Sequence, residues 1–308
     1  MQEGLVIKTT GSWHSVQHGL KVINCKIKGN YRLKGIKTTN PVVVGDIVDF
    51  YIESKSEIGL ITRIKERKNY IIRRSINLSK ETQLLAANID QAFLVFTLSR
   101  PESSLEFIDR FLVTAEAYHI VTILIINKID IYDKVKLEEL KGIKNIYTSI
   151  GYECIETSAI KKTNIEILKD KMKNKINLMA GNSGVGKSTL INSIDPKLDL
   201  KVDDISDFHK TGKHTTTFSE MFALEFGGYI IDTPGIKGFG IIDFEKQEAG
   251  LFFPEIFKIS AGCQFYNCSH THEPKCAVKK AVETGVISAS RYRSYVNILY
   301  DQNEKYRR

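Results

Sequence analysis

The sequence predicts a multidomain fold in three parts: a small N-terminal β-barrel of the OB-fold kind, an α/β domain of the P-loop type, and a short α-helical domain built around a Cys/His cluster. Three observations predict it. Short apolar runs broken by turn residues fill the first part, longer apolar runs alternate with helix-period segments in the second, and cysteines and histidines crowd together in the third. The expected boundaries are 1–72, 73–240 and 241–308.

In the first part, Leu5-Val6-Ile7, 21–27, Val42-Val43-Val44, 47–52 and 60–64 read as strands, separated by turn signals such as Lys28-Gly29-Asn30 and Gly45-Asp46. Roughly five short strands suit a small closed barrel. Lys21, Lys26, Lys28, Arg32, Lys34 and Lys37 interleave with Tyr31. That pattern suits an RNA-binding strand surface, and equally the wetted outside of an ordinary barrel. The basic run 63–74 covers the first boundary and by itself reads as a solvated stretch.

In the second part, 92–98 is a continuous apolar run, as expected of a strand buried on both faces. Leu105, Ile108, Leu112 and Ala115 follow at helical spacing. Strands are expected at 121–126 and 152–156, ending at Asn127 and Thr157. Thr163-Asn164-Ile165-Glu166 has the form of a capping box, opening a helix with Ile165, Leu168 and Met172 on one face. Residues 176–180 run into a glycine-rich loop, and 219–226 and 228–231 are adjacent strands. Six strands with helices between them make a doubly wound sheet, whose ligands bind beyond the carboxyl ends of the strands.

The motifs lie at those ends. Gly181, Asn182, Ser183, Gly184, Val185, Gly186, Lys187 and Ser188 fit the phosphate-binding P-loop, with Thr189 next in the helix. Its glycines let backbone N–H groups converge on phosphate oxygens, and the helix N-terminus adds a favourable dipole. Lys187 is placed to reach the β and γ phosphates, and the Ser188 hydroxyl to ligate Mg²⁺. Asn127-Lys128-Ile129-Asp130 selects guanine over adenine: the Asp130 carboxylate can accept from N1–H and the 2-amino group, donors that adenine lacks. Asn127 and the Lys128 stem buttress the base and the P-loop, and the N–H groups of Ser158 and Ala159 in Thr157-Ser158-Ala159 face guanine O6. Asp232 in Asp232-Thr233-Pro234-Gly235 is expected to hold Mg²⁺ through water, and Gly235 N–H to sense the γ-phosphate. Residues 212–217 are the expected switch I, with Thr216 or Thr217 completing the Mg²⁺ shell. Ile236 stands where many GTPases place a water-orienting Gln, so hydrolysis is slow or uses another group. His214 is the candidate catalytic residue; it could instead bind a partner or a phosphate. Base-reading motifs precede the P-loop, the reverse of the ordinary order, which marks a circularly permuted GTPase domain.

In the third part, Cys263, Cys268, His270 and Cys276 have the spacing C-x₄-C-x-H-x₅-C, suited to a closed tetrahedral Zn²⁺ site of structural role, with His272 as the alternative fourth ligand. Tyr292, Tyr295, Val296 and Leu299 form one apolar helix face, with Arg291, Arg293 and Asn297 elsewhere. Five cysteines, three of them in this cluster, suggest metal binding in a reducing cytoplasm rather than disulfides. The net charge of +8, from 44 basic and 36 acidic residues, favours a polyanionic partner or simple solubility. Apolar runs are too short to span a bilayer, the N-terminus lacks signal-peptide form, and no coiled-coil heptads occur; a cytoplasmic monomer with no membrane association is expected.

With the barrel, the permuted motif order and the C-x₄-C-x-H-x₅-C cluster together, the whole chain resembles the bacterial small-subunit ribosome biogenesis GTPases of the RsgA family, also called YjeQ or YloQ. The resemblance implies an OB-fold, a permuted GTPase domain and a zinc-bearing helical domain. It also implies late maturation of the 30S ribosomal subunit, hydrolysis stimulated by that subunit, and contacts to 16S rRNA. GTP or GDP contacts then fall on 127–130 and 181–189, and zinc ligation on Cys263, Cys268, His270 and Cys276 rather than His272. A histidine before the threonine run, as at His214, is that family's proposed catalytic residue. Two other classes fit less well: a GTP-gated binding module, and a P-loop kinase or ATPase, which Asp130 argues against. Because the chain passes from Gly235 straight into 241–308, nucleotide state is expected to bias that segment's position against the barrel.

Overall fold

The structure, a computed structural model, describes residues 1–28, 41–53, 56–74, 82–200, 219–232 and 246–300. His214, Thr216, Thr217, Gly235 and the Asp232 side chain lie outside the described part.

Strands β1 (Gln2–Thr10) and β2 (Trp13–His18) pair around Gly11, whose φ of +62° is the left-handed turn conformation that glycine adopts without strain. β3 (Lys21–Ile27), β4 (Ile47–Ile52) and β5 (Gly59–Ile64) follow. The spatial order is β1-β2-β3-β5-β4, with β4 pairing back onto β1 and β3 parallel to β5. That closes a five-stranded barrel in OB-fold order, filled by Val6, Val16, Cys25, Val42, Val48, Phe50 and Ile61.

One expected barrel strand is replaced by another. Trp13–His18 is a strand, whereas Val42-Val43-Val44 contributes only an isolated bridge from Val44 to Ala86. The inward positions of β2 are His14 and Val16, so a buried histidine hides half of its apolar alternation. The three valines are apolar for a different reason. Val42 plugs the barrel core, while Val43 and Val44 join clusters outside it.

β6 (Tyr70–Arg74) and β7 (Thr82–Ala87) form a separate antiparallel pair between the barrel and the sheet that follows. The 72/73 junction expected from the sequence falls inside β6.

Then come β8 (Gln91–Phe96), α1 (Leu105–Ala117), β9 (Val121–Ile126), α2 (Lys134–Ile150), β10 (Glu153–Glu156), α3 (Ile165–Met172), β11 (Ile176–Ala180), α4 (Lys187–Ile194), β12 (Ser219–Ala223) and β13 (Tyr229–Asp232). The strands lie in the order β10-β9-β8-β11-β13-β12, all parallel except β12. Their side chains alternate between two cores. Leu94 and Phe96 pack with α1 and α2 on one face, Phe93 and Val95 with α3 and α4 on the other. Counted from β11, the chain would visit β11, β12 and β13, then β8, β9 and β10. The sheet keeps its spatial order although the chain enters it in the middle.

One local expectation changes, and one helix is new. The capping box at Thr163 does not form: Asn164 occupies the cap at φ +58° without a side-chain cap bond, and its amide donates to Glu156 O at 2.9 Å instead. Helix α2, unread in the sequence, begins where Asp133 accepts from Lys136 N at 2.8 Å and ends at left-handed Gly151. It buries only Leu140, Ile143 and Tyr147, too thin a stripe to stand out.

β12 also pairs with β1, matching Lys8 with Glu220 and Thr9 with Ser219, so the barrel and the α/β sheet form one eleven-stranded sheet. Lys8 and Glu220 make an ion pair at 2.9 Å, and Tyr229 OH donates to Gln17 Oε1 at 2.9 Å.

Helices α5 (Pro254–Ser260), α6 (Ala277–Glu283) and α7 (Ala289–Tyr300) pack around Phe253, Ile256, Val278, Tyr295 and Ile298, and the same core includes Val113 of α1. Arg291, expected away from the apolar face of α7, is only 1% exposed. It donates to Asp109 Oδ1 at 2.8 Å and to Glu255 at 2.7 and 3.1 Å, with its guanidinium 4.5 Å from the centre of the Phe253 ring. Its burial depends on carboxylates from other helices, which no periodicity records. No helix of the described residues is long and apolar enough to cross a membrane.

Candidate guanine-nucleotide site and metal centre

The loops after β8, β9, β10 and β11 converge at the carboxyl end of the sheet. Asn127 N donates to Phe96 O at 2.9 Å, which continues the β9 pairing past the strand. Its side-chain amide donates to Val185 O in the P-loop at 2.9 Å, and its Oδ1 accepts from Thr157 Oγ1 at 3.1 Å. Lys128, at φ +63°, folds back so that Nζ donates to Gly184 O at 2.7 Å and to Arg100 O at 2.6 Å. Burial draws its ammonium below the usual lysine value, and Asp130 opposes that. Ile129 N donates to Thr157 O at 3.2 Å. Residues distant in the chain, 127–130, 157–159 and 181–188, are thereby fixed in one cluster.

The P-loop needs its glycines. A Cβ on Gly181 would lie 2.2 Å from Val95 O, and one on Gly186 would lie 2.7 Å from Asn127 Nδ2. Both residues have positive φ, +146° and +91°. Lys187 Nζ donates to Gly181 O at 2.8 Å and Asn182 O at 2.7 Å, which holds the ammonium across the mouth of the loop. Asn182 and Ser183 are exposed, Val185 anchors the loop in the core, Ser188 is buried at the start of α4, and Thr189 is half-buried. Ser158 accepts from Lys161 N at 3.0 Å, and Ala159 O accepts from Ser193 Oγ at 2.8 Å. Asp130 is exposed and makes no hydrogen bond or ion pair among the described residues. Its carboxylate is thus available to a ligand. Asp232 ends β13, beside the strand that leads into the P-loop.

Two contributors escape the sequence. The loop 97–103 is held by Ser103 N donating to Thr97 O at 2.8 Å, and it places Pro101 beside Gly184 and Arg100 O beneath Lys128. Tyr132 sits 8% exposed below the 127–130 loop, its phenol donating to Asn127 O and accepting from Leu98 N, each at 2.8 Å. Neither has a motif; only spatial proximity reveals them.

In the C-terminal part, the ligand atoms of Cys263, Cys268, His270 and Cys276 all lie within 4.8 Å of one another. Cys263 Sγ is 3.8 Å from Cys276 Sγ, and His270 Nδ1 is 3.6 and 3.5 Å from these two sulfurs. Two thiolates at ~2.3 Å from a tetrahedral Zn²⁺ would be about 3.8 Å apart, and a thiolate and an imidazole nitrogen about 3.5 Å. The donor set and its spacing therefore fit zinc. His272 points away, 81% exposed at its side chain. The loop is braced from behind: Tyr295 OH donates to Ser269 O and Tyr292 OH to His270 O, both at 2.7 Å. Burial alone would raise the Glu273 carboxyl, but donors from Ser269 and Thr271 bring it down to about 2.

An OB-fold barrel joined to a P-loop sheet entered out of order defines a circularly permuted GTPase. Residues 3–61 match the family model of the RsgA N-terminal domain and residues 64–242 that of the RsgA GTPase. The small ribosomal subunit biogenesis GTPase RsgA 2 of Bacteroides thetaiotaomicron is 54% identical over 307 residues, covering 99% of each chain. The small ribosomal subunit biogenesis GTPase RsgA of Christiangramia forsetii is 52% identical over 308 residues, 99% of this chain and 98% of its own. Among solved structures, YjeQ from Thermotoga maritima superposes with a TM-score of 0.80 at 37% identity, over 97% of this chain and 98% of that one. YloQ, described as a circularly permuted GTPase, gives 0.76 at 34% identity, over 98% and 94%. The chain belongs to the RsgA GTPase family.

Proposed function

We propose that this protein hydrolyses GTP to GDP and phosphate in the biogenesis of the small ribosomal subunit. On this reading it binds the 30S particle during late maturation, contacts 16S rRNA, and turns over GTP faster when the particle is present. The observation that carries the nucleotide part is the bonding of Asn127 and Lys128 to P-loop carbonyls at 2.9 and 2.7 Å. The same side chains that buttress a guanine thereby fix its distance from the phosphates. The curated relatives' names support the ribosomal part.

The residues divide the work as follows. Asp130 accepts from the guanine edge, and Ser158 and Ala159 offer N–H groups to O6. The P-loop N–H groups and Lys187 take the phosphates, binding more tightly as charge develops on them. Ser188, with Thr216 or Thr217 and with Asp232 through water, would hold Mg²⁺, which neutralises phosphate charge when bound. Gly235 senses the γ-phosphate, and His214 orients the attacking water in place of the absent glutamine. Cys263, Cys268, His270 and Cys276 would hold one Zn²⁺; with four protein donors it keeps the loop folded and offers no position to substrate. On this reading the protein acts as a monomer in the cytoplasm.

GTP turnover measured with and without purified 30S subunits tests the reading. Stimulation that falls about a hundredfold in His214→Ala, with GDP affinity retained, is expected. Turnover that ignores the subunit, or that is equal with ATP, would contradict it.

A further inference from the structure

We infer that Tyr132 is a positioning residue for base recognition, its phenol locking the Asn127–Asp130 turn to the loop that seats Lys128. The inference rests on the nucleotide site proposed above and deepens it.

Asn127 has no polar atom to spare. Its N–H goes to Phe96 O, its amide to Val185 O, its Oδ1 to Thr157 Oγ1, and its carbonyl to the Tyr132 phenol. The same phenol oxygen accepts from Leu98 N at 2.8 Å. Leu98 and Asn127 are each only 1% exposed, so water does not readily replace a lost phenol. Leu98 belongs to the loop whose Arg100 carbonyl holds Lys128 Nζ at 2.6 Å, and Lys128 in turn holds Gly184 O. Tyr132 and Lys128 thus tie the same two loops together from either side of Asp130.

Asp130 depends on this arrangement because its aim is set by the backbone of the turn that carries it. Its carboxylate makes no bond within the described residues, and it rides on the single 3₁₀ turn Ile129–Ile131. That turn is pinned at one end by Ile129 N on Thr157 O. At the other end the pin is Tyr132. Burial pushes the phenol up to about 12, so it stays protonated and donates to Asn127 across the working pH range. A phenylalanine would fill the same apolar space, and packing alone does not call for the hydroxyl.

The test uses Tyr132→Phe in the full chain, with GDP and inosine diphosphate as probes. Inosine keeps N1–H but lacks the 2-amino group, and so offers Asp130 one donor where guanine offers two. The expected result is a Kd for GDP raised about tenfold, with inosine diphosphate weakened by no more than about threefold. KM for GTP should rise while kcat stays within about twofold. Equal weakening of both nucleotides would show a merely structural role, and unchanged affinities would show none; either overturns the inference. If the variant does not fold, amide exchange in the unsubstituted protein decides. Leu98 N–H should exchange slowly and slow further with GDP, and fast exchange at Leu98 with GDP bound overturns the inference. Failure of the unsubstituted protein to bind GDP would remove the nucleotide site itself.

Discussion

On the proposed reading, Asp130 puts the choice of base on one carboxylate, which makes no hydrogen bond or ion pair among the described residues. Replacing it with Asn turns an acceptor for N1–H into a group that can also donate. Asp130→Asn is expected to weaken GTP by at least about a hundredfold and to favour xanthosine triphosphate, whose 2-oxo group is an acceptor. Competition binding with the two nucleotides checks this; retained guanine preference would contradict the role. His14 makes a separate prediction. Its ring is fully buried in the barrel with neither nitrogen hydrogen-bonded among the described residues, and burial lowers it from 6.5 to about 4. Between those values the unfolded chain binds more protons than the folded one, so stability falls as pH drops from about 6.5 to about 4. The loss is on the order of 2–3 kcal/mol and should vanish in His14→Leu, as read by denaturant unfolding across that pH range. At this scale motif residues were legible because phosphate and guanine chemistry constrain residue type at fixed spacing. Tyr132 and Arg291 were not, since each acts through partners far away in the chain, such as Leu98 and Asp109.

Helices α7 and α1 are joined through Arg291 and Asp109, with Glu255 of α5 and Tyr147 of α2 completing a buried group. Removing the cation strands two carboxylates. Arg291→Met is therefore expected to destabilise the docking of 246–300 by about 3–5 kcal/mol, seen as faster proteolysis of that segment. Adding Asp109→Leu and Glu255→Leu should restore much of it. Chelating the zinc proposed for Cys263, Cys268, His270 and Cys276 should likewise cost helicity in 246–300, while GDP affinity changes by less than about threefold, because the residues proposed to contact the nucleotide all belong to the α/β domain. Circular dichroism and GDP titration on the same sample check both halves. Most elements were readable from apolar period. β2 was missed because a histidine does the work of an apolar residue, and α2 because only Leu140, Ile143 and Tyr147 face inward.

Across the whole molecule, the barrel and the helical module attach to different halves of the permuted sheet. The barrel sits on β12 and β13 through the β1–β12 ladder, Lys8–Glu220 and Tyr229–Gln17, and β13 ends at Asp232. The helical module sits on α1, in the half that carries the 127–130 and 157–159 loops. That arrangement sharpens the expectation from motif order: nucleotide state should move the barrel through β12 and β13, while 246–300 stays with α1. Spin-label distances in GDP and in non-hydrolysable GTP, with the small subunit present, should change between barrel and α1 and hold between α7 and α1. The reverse pattern would contradict it. Motif order revealed the permutation without coordinates, but the fused sheet was invisible, because backbone pairing between Lys8 and Glu220 leaves no trace in either segment alone. The most direct measurement is an equilibrium titration of the purified protein with GDP and with ADP in the presence of Mg²⁺. One GDP per chain, preferred over ADP by at least about a thousandfold, is the expected result. Equal affinity for the two nucleotides would contradict the convergence of the reordered segments on a guanine.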